Sequence, residues 1–489
     1  MIKNFKWLFL VSLTFIACTS DDENTVVNNT SDGLPLTAGS ADFSKYVSLG
    51  NSLTAGFSDG ALFVEGQSNS YPKLLADQFS LVGGGEFRLP LMDDNFGGLL
   101  LGGLQVQPKR LYFNGTGPVQ VPGASTTDIS NILTGPFNNM GVPGAKSYHL
   151  LAPNYGNIAG VASGQANPYF VRFASSPSTT VLADATAQNA TFFSLWIGNN
   201  DVLSYALSGG TGTNQTGNLN PATYGANDIT DPNVFANVYS TLVNGLTANG
   251  AKGVVANLPY VNTIPYFTTV PYNAVPLNSA QVAALNSGYT AYNNGLLFAA
   301  SNGLISSDEV ARRTINFAVG QNPVVIVDSY LTNLSGYGIP SYRQATAQDY
   351  ILLLSGGVSA QAHLAAGNGT QFPLADNWVL SKGEVAELKT ATDAYNAAIQ
   401  SIASSSNLAF VDANAVLNQV ANGGVSGNGF NVTSTYVTGG GFSLDGIHPS
   451  PRGYALIANK FLEAINAKYG SNFKGVDLGD FRILYPASL

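Results

Sequence analysis

Residues 46–56 read YVSLGNSLTAG, and this stretch predicts a buried strand that ends in a tight turn. Apolar and β-favouring residues run into Gly50, and a polar pair and a second glycine come closely after it. In an open α/β sheet, such a turn exposes a side chain at the carboxyl end of a strand, where ligands bind. Here that side chain is the hydroxyl of Ser52. Most turn serines only bond to nearby backbone, so a catalytic role for Ser52 needs support from elsewhere in the chain.

The far end of the chain supplies that support in residues 444–454, LDGIHPSPRGY. A serine hydroxyl is a weak nucleophile and needs a base, usually a histidine that a carboxylate orients. Asp445 and His448 are three residues apart, so one short loop can bring them together. Ser450 and the proline after it predict the start of an amphipathic helix that anchors this loop. Ser52, His448 and Asp445 are therefore the candidate catalytic residues; the simpler alternative is a turn cap and a surface histidine.

Two further segments offer hydrogen-bond donors for an oxyanion. Residues 191–197, TFFSLWI, predict a buried strand that delivers Asn200 at its carboxyl end. In residues 138–145, NNMGVPGA, a glycine lets the backbone approach a reacting centre and present its N–H. Gly144 is the better candidate and Gly141 the alternative.

These segments resemble the four conserved blocks of the SGNH hydrolases, also called GDSL esterases or lipases. The matching residues are 50–53 (GNSL), Gly144, 198–201 (GNND) and 445–449 (DGIHP), in the order that the family shows. One departure is visible, because Asn51 stands where aspartate is usual. That aspartate is not one of the four residues for which the family is named, so the chemistry is expected to be intact.

The resemblance implies an α/β fold, a three-layer α/β/α sandwich of the flavodoxin-like type, over residues 43–470. Large insertions are expected at about 83–123 and 262–380, and residues 471–489 form a C-terminal extension. The resemblance also implies that Ser52 forms an acyl-enzyme. The oxyanion hole is expected to consist of the N–H groups of Ser52 and Gly144 and the side-chain amide of Asn200. We expect the apolar, glycine-rich first insertion to form hairpins that either wall the active site or simply pack on the domain.

Two rival residues compete with this assignment. Residues 56–60, GFSDG, match the nucleophile elbow of α/β-hydrolases, which needs a strand before it and a helix after it. The preceding strand already ends at Ser52, and residues 57–66 lack a helical pattern, so Ser58 is not favoured. His149 has no acidic residue within ten positions to orient it, and we predict a structural role.

Composition sets the class of protein. With 489 residues, 45% of them hydrophobic and 10% charged, the chain can bury a large core. The net charge of −9, with 20 Lys and Arg, argues against nucleic acid as a partner. We find no phosphate-binding loop and no Cys/His spacing typical of metal sites, so the sequence predicts no cofactor and no metal.

The amino-terminal segment has the pattern of an export signal. Residues 1–17 combine two lysines with a short apolar run, and Cys18, the single cysteine, comes directly after a small residue. This ending resembles a bacterial lipoprotein signal, which implies a lipid anchor at Cys18; an ordinary secretory signal is the alternative. Polar residues 18–42 predict a flexible tether. The predicted location is the outer membrane of a Gram-negative bacterium, facing the periplasm or the cell surface.

The sequence thus predicts a serine esterase or lipase-type acylhydrolase that acts on a small-molecule, lipid or glycan ester. Two alternatives remain open. One is a carbohydrate O-deacetylase of the same fold, and the other is a surface lipoprotein that binds its ligand without catalysis.

Overall fold

The computed structural model of the protein describes residues 30–355 and 357–489. The predictions for the export signal at 1–17, for Cys18 and for the first part of the tether lie outside these residues. Among the helices that are described, none is both long and apolar enough to cross a membrane.

A five-stranded parallel sheet forms the centre of the molecule. Its strands, in chain order, are β1 (Tyr46–Gly50), β2 (Asn139–Gly141), β3 (Phe192–Trp196), β4 (Lys252–Ala256) and β5 (Ala409–Val411). They lie in the order β2-β1-β3-β4-β5, which is the order of flavodoxin-like sheets. The protein is therefore a mixed α/β structure. The order reverses between β1 and β3, and ligands of such sheets bind outside the carboxyl ends of the strands at this point.

Strands β1 and β3 were predicted from apolar, β-branched and aromatic runs, and their bounds agree to within a few residues. The sequences of β4 and β5 are also rich in such residues. The exception is β2, which has three residues, among them an asparagine and a glycine. Its strand conformation comes from pairing along β1, where Met140 lies opposite Leu49, and such pairing leaves no local pattern in the sequence.

Fifteen α-helices are described. They span Ser52–Ala55, Val64–Ser68, Tyr71–Ser80, Pro168–Val171, Val181–Thr186, Asn200–Leu207, Pro232–Thr247, Pro265–Thr268, Ser279–Gly288, Thr290–Ser301, Ser307–Arg313, Ala360–Ala365, Lys382–Ser405, Ala413–Ala421 and Pro451–Tyr469.

Aromatic contacts join the long helices around the sheet. Two pairs of helices pack together, Tyr71–Ser80 with Pro451–Tyr469 and Pro232–Thr247 with Lys382–Ser405. In the first pair the ring of Tyr71 stacks on Phe461 with centroids 4.7 Å apart. In the second pair Phe235 stacks on Tyr395 at 4.2 Å. Such pairs add about 0.5–1.5 kcal/mol each to the free energy gained by burying the rings.

Serine side chains cap the starts of two long helices. The hydroxyl of Ser450 accepts the N–H of Gly453 at 3.1 Å, so the helix Pro451–Tyr469 begins directly after the loop that carries His448. Ser381 and Glu384 form a capping box at the start of the helix Lys382–Ser405. The helix start predicted at Ser450 is confirmed.

The remaining strands form two-stranded antiparallel ladders. They are Leu99–Leu101 with Leu104–Gln107, Leu111–Phe113 with Pro118–Gln120, Val275–Leu277 with Gly320–Asn322, Val325–Val327 with Tyr342–Gln344, Tyr350–Ile351 with Val379–Leu380, Leu354–Ser355 with Val358–Ser359, and Val425–Gly427 with Phe430–Val432. The first two confirm the hairpins predicted at 83–123. Residues 262–380 contain three apolar clusters apart from the main core, so this segment is held together largely by its own contacts.

The prediction of a flexible tether is wrong for residues 30–42. The N–H groups of Ser31 and Thr37 donate to the backbone and side-chain oxygens of Asn472, at 2.9 and 2.8 Å. The N–H of Ser40 donates to the carbonyl of Tyr469 at 2.8 Å. Hydrogen bonds to the far end of the chain order this segment, although its polar sequence has little to bury by itself.

Candidate active site

A tight turn after β1 places Ser52 at the carboxyl edge of the sheet. A Cβ on Gly50 would lie 2.4 Å from the carbonyl oxygen of Trp196 and 2.2 Å from the hydroxyl of Thr54, so only glycine fits there. Ser52 is the first residue of the short helix Ser52–Ala55, and it is 7% exposed. Its hydroxyl is therefore nearly buried but lies at the edge of the sheet where ligands bind.

Asn51 has a structural role that its amide suits. Its side-chain oxygen accepts the N–H of Leu53 at 3.0 Å and caps the short helix. Its side-chain nitrogen donates to the side-chain oxygen of Asn199 at 3.1 Å. The amide of Asn51 supplies the acceptor for the first bond and the donor for the second.

The structure brings Ser52, His448 and Asp445 into one chain of hydrogen bonds. The Nε2 atom of His448 lies 2.9 Å from the Oγ atom of Ser52. The Nδ1 atom of the same ring lies 2.8 Å from Oδ2 of Asp445. Serine and histidine are 396 positions apart in sequence, and the fold of the whole sheet is what makes them neighbours.

Five hydrogen bonds hold the carboxylate of Asp445. Oδ2 accepts the N–H of Gly60 at 2.9 Å as well as the imidazole. Oδ1 accepts the N–H groups of Ile447 and His448, both at 2.8 Å, and the hydroxyl of Ser443 at 3.1 Å. Burial alone would raise the pKa of the Asp445 carboxyl, but the imidazole and these donors hold the pKa below its ordinary value. The group is therefore an anion at neutral pH.

The charge of Asp445 selects the tautomer of His448. An ionised carboxylate can only accept, so Nδ1 must carry the proton that points to it. Nε2 then has a free lone pair that accepts the hydroxyl proton of Ser52. The ring is also held from one side by Phe57, with ring centroids 4.6 Å apart. This is the arrangement in which a serine can pass its proton to a histidine base.

Gly144 and Asn200 lie on chain segments that hydrogen bonds tie together next to Ser52. The N–H of Val142 donates to the carbonyl of Gly50, and the side-chain amide of Asn200 donates to the carbonyl of Ala145 at 2.9 Å. Gly144, between these two anchors, is exposed and has φ +78°. Within the described residues, its N–H donates to no protein acceptor.

Gly141, the alternative to Gly144, has a different function in the fold. A Cβ there would lie 2.3 Å from the backbone nitrogen of Ala55, so glycine allows β2 to approach the Ser52 helix. Its N–H already donates to the side-chain oxygen of Asn139 at 2.9 Å. Of the two N–H groups, that of Gly144 is the one without an acceptor among the described residues.

Asp201, next to Asn200, supports the loop that carries Gly144. Its carboxylate accepts both the N–H and the hydroxyl of Ser147, at 2.8 and 2.7 Å. Burial raises the pKa of this carboxyl. The two hydrogen bonds to Ser147 therefore hold this loop in place.

The rival serine and the other histidines are used elsewhere. The hydroxyl of Ser58 is buried and donates to the carbonyl of Pro449 at 3.0 Å.

His149 accepts the N–H of Lys146 through Nδ1, and its pKa is lowered to about 4, mainly by burial. His363 stacks on Trp378 with centroids 4.0 Å apart. His448 is thus the histidine that has a carboxylate behind it.

Sequence reasoning missed Asp59, a second buried carboxyl behind the site. Its Oδ1 accepts the N–H of Leu444 at 2.8 Å, and its own N–H donates to the hydroxyl of Ser443 at 2.9 Å. It therefore holds the loop that carries Asp445. Within the described residues, its Oδ2 is buried without a hydrogen-bond partner. Burial, reinforced by the neighbouring Asp445, raises the pKa of Asp59 to about 7.

This raised pKa makes the stability of the protein depend on pH. The folded protein holds the Asp59 proton more tightly than the unfolded chain does, so stability is lost as pH rises from about 4 to about 7. The variant Asp59→Asn does not titrate at this position. Its free energy of unfolding relative to that of wild type should therefore rise by roughly 2–3 kcal/mol from pH 5 to pH 8. Urea unfolding at both pH values measures this gain. Asp480→Asn, on an exposed carboxyl, should show none, and an equal result for the two variants would contradict the assignment.

No group of three or more His, Cys, Asp and Glu side chains in residues 30–355 and 357–489 is arranged to hold a metal ion.

Comparisons with known proteins give one distant likeness. No protein-family model matches the chain, and no curated protein matches it. Among solved structures, the extracellular lipase from Streptomyces rimosus is similar over 86% of this chain and 98% of the lipase chain. The sequence identity is 13% and the TM-score is 0.27. A likeness this distant carries no argument about activity, so the function has to be inferred from the side chains of the site.

Proposed function

We propose that the protein is a serine hydrolase that cleaves carboxylic esters through an acyl-enzyme on Ser52. The observation that carries this proposal is the chain of hydrogen bonds from Ser52 through His448 to Asp445, with contacts of 2.9 and 2.8 Å. Each partner is in the chemical state that the reaction needs, because Asp445 is ionised and Nε2 of His448 is left as the acceptor. The resemblance of the four sequence blocks to SGNH hydrolases supports the same conclusion.

The first half of the reaction forms the acyl-enzyme. Ser52 Oγ attacks the ester carbonyl carbon while its proton moves to Nε2 of His448. Asp445 stabilises the imidazolium that results. The tetrahedral intermediate then collapses, the bond from carbon to the alkoxy oxygen breaks, and the imidazolium donates its proton to the departing alcohol.

Hydrolysis of the acyl-enzyme repeats these steps with water. His448 takes a proton from the water as the water oxygen attacks the acyl carbon. The intermediate releases Ser52 Oγ, which takes the proton back from Nε2, and the carboxylic acid leaves. In both intermediates the negative oxygen is to be held by the N–H groups of Ser52 and Gly144 and by the amide of Asn200.

The role of Asn200 can be tested by substitution. Asn200→Ala removes one donor to the oxyanion and should lower kcat by about 10²- to 10³-fold with a small change in KM, because the donor acts mainly in the transition state. Steady-state kinetics on a p-nitrophenyl ester measure both constants. Asn199→Ala, at the neighbouring position, should lower kcat much less. If kcat fell by a similar factor in both variants, the proposed role of Asn200 would be contradicted.

The hydrolase proposal itself is tested with purified wild-type protein and a p-nitrophenyl ester. A burst of nitrophenol equal to the enzyme concentration, and then slower turnover, is expected when the second half-reaction limits the rate. A protein that only binds its ligand would release no nitrophenol above the background rate.

We extend the proposal to the fold layers and to the location of the protein. The flavodoxin-like strand order and the two pairs of helices support a three-layer α/β/α sandwich. The sequence of residues 1–18 supports export and lipid attachment at Cys18, and thus an outer-membrane lipoprotein.

A further inference from the structure

A cavity opens beside Ser52 and His448. Its empty volume is about 970 Å³, including the solvent at its mouth. Apart from Ser52 and His448, the polar residues in its lining are few. Asn51, Asn199 and Asn200 belong to the segments around Ser52, and the others are Trp196 and Lys460. The rest of the lining is carbon, so the cavity is polar at the catalytic end and apolar beyond it.

One wall of the cavity is the helix Pro451–Tyr469, which begins just after His448. Gly453, Leu456, Ile457 and Phe461 line the cavity at helical spacing, so they form a single stripe along the helix. The first and the last are eight positions apart, and at 1.5 Å per residue the stripe is roughly 12 Å long. The cavity therefore runs away from the catalytic residues for about that distance.

A second wall of the cavity is the helix Ala413–Ala421. Ala413, Val416, Leu417 and Val420 line the cavity with the spacing of one helix face. Val416 and Leu417 are only half-buried. Their apolar face is turned toward an open space, a position that loses contact energy unless something apolar fills it.

The side-chain polar groups of Trp196 and Lys460, which also line the cavity, already have partners. The indole N–H of Trp196 already donates to the carbonyl of Asn257 at 3.0 Å, and the ammonium of Lys460 pairs with Glu463 at 2.9 Å. A hydroxyl group buried against the aliphatic side chains would lose its hydrogen bonds to water, which is unfavourable. An unbranched hydrocarbon chain would lose none.

We propose that this cavity binds the acyl chain of the substrate, and that the substrates are esters of medium- or long-chain fatty acids. This inference rests on the proposed function. An extended chain advances roughly 1.2 Å per bond, as the polypeptide backbone does with three bonds per residue, so a stripe of about 12 Å matches about ten carbons. We place the acyl chain in the cavity, and not the alcohol, because the acyl group stays bound to Ser52 while the alcohol must leave before water enters.

A series of p-nitrophenyl esters from acetate to dodecanoate tests the inference. Each methylene buried in the cavity should raise kcat/KM by about fourfold, up to about ten carbons, after which the values should level off. In a second series, with a constant decanoyl group and alcohols of increasing length, kcat/KM should change little. If kcat/KM rose with the length of the alcohol and not with the length of the acyl chain, the inference would be overturned.

A substitution in the cavity wall provides a matched comparison. Val416→Trp should shorten the cavity and lower kcat/KM for the decanoate ester by roughly 50-fold, the effect of about three methylenes, while the acetate ester changes little. Gln419→Trp places the same ring on the exposed face of the same helix and should behave as wild type on both esters. Equal losses on acetate and decanoate in Val416→Trp would overturn the inference.

A binding measurement covers the case in which Val416→Trp does not fold. Decanoate below its micellar concentration should raise the Tm of Ser52→Ala, and acetate at the same concentration should not. Equal effects of the two acids would overturn the inference.

The failure of this inference can be told apart from the failure of the proposed function. Rapid cleavage of acetate with falling rates for longer esters would leave the serine hydrolase in place, overturn the acyl-chain site and favour a deacetylase. Absence of cleavage for every ester would overturn both.

Discussion

Ser52→Ala should reduce kcat for ester hydrolysis by roughly 10⁵- to 10⁶-fold, the loss seen when the nucleophile of a serine hydrolase is removed. The reason is that no other hydroxyl among the described residues lies on the proton path to His448 Nε2. The substitution removes one oxygen from a nearly buried position and should change Tm by only a few degrees. Initial rates on a p-nitrophenyl ester, together with thermal unfolding, measure both effects.

Ser58→Ala is the matched control for this variant. It makes the same change six positions later, at a buried hydroxyl that donates to Pro449, and it should lower kcat severalfold at most. It also tests the alternative nucleophile elbow directly. A large loss of activity in Ser58→Ala with little loss in Ser52→Ala would reverse the assignment of the nucleophile.

Asp445→Asn should reduce kcat by roughly 10⁴-fold at neutral pH, the effect of the same change in a well-characterised serine protease. An amide at this position can donate to Nδ1 of His448, which places the ring proton on Nε2 and removes the acceptor for Ser52. The variant should also be less stable, because its amide N–H₂ faces donors that now bond to the carboxylate. Kinetics and circular dichroism on the same preparation separate the two effects.

Ser443→Ala provides the comparison for this variant. It removes the longest of the five hydrogen bonds to Asp445, from the hydroxyl at 3.1 Å, and the acceptor of the Asp59 N–H, and it leaves the contact between Asp445 and His448 in place. We expect a loss in kcat of less than about tenfold. A loss as large as that of Asp445→Asn would show that the loop, and not the charge of Asp445, is what the activity depends on.

Much of the site was predictable from sequence because its residues come directly after strands with strong local patterns. The runs before Gly50 and Asn200 are apolar and β-branched or aromatic, and parallel strands bring the turns at their carboxyl ends to one edge of the sheet. The short spacing of Asp445 and His448 added the base and its carboxylate. Local pattern and the resemblance to SGNH hydrolases therefore predicted that Ser52, His448 and Asp445 lie together.

Features that depend on distant contacts were not predictable in the same way. Asp59 supports the Asp445 loop across 385 positions of sequence, and its own segment resembled a different motif. The sequence of residues 413–421 does not indicate what its apolar residues border, and only the structure shows that the helix Ala413–Ala421 lines a cavity. Residues 30–42 were too polar to predict any packing, yet Asn472 orders them through hydrogen bonds.

Covalent labelling of the intact protein with a fluorophosphonate decides whether Ser52 is an activated nucleophile. We expect one adduct per molecule of wild type, located on the peptide that contains Ser52 by mass spectrometry, and no adduct on Ser52→Ala. An unlabelled wild type, or an adduct on Ser58 or another residue, would contradict the proposed mechanism.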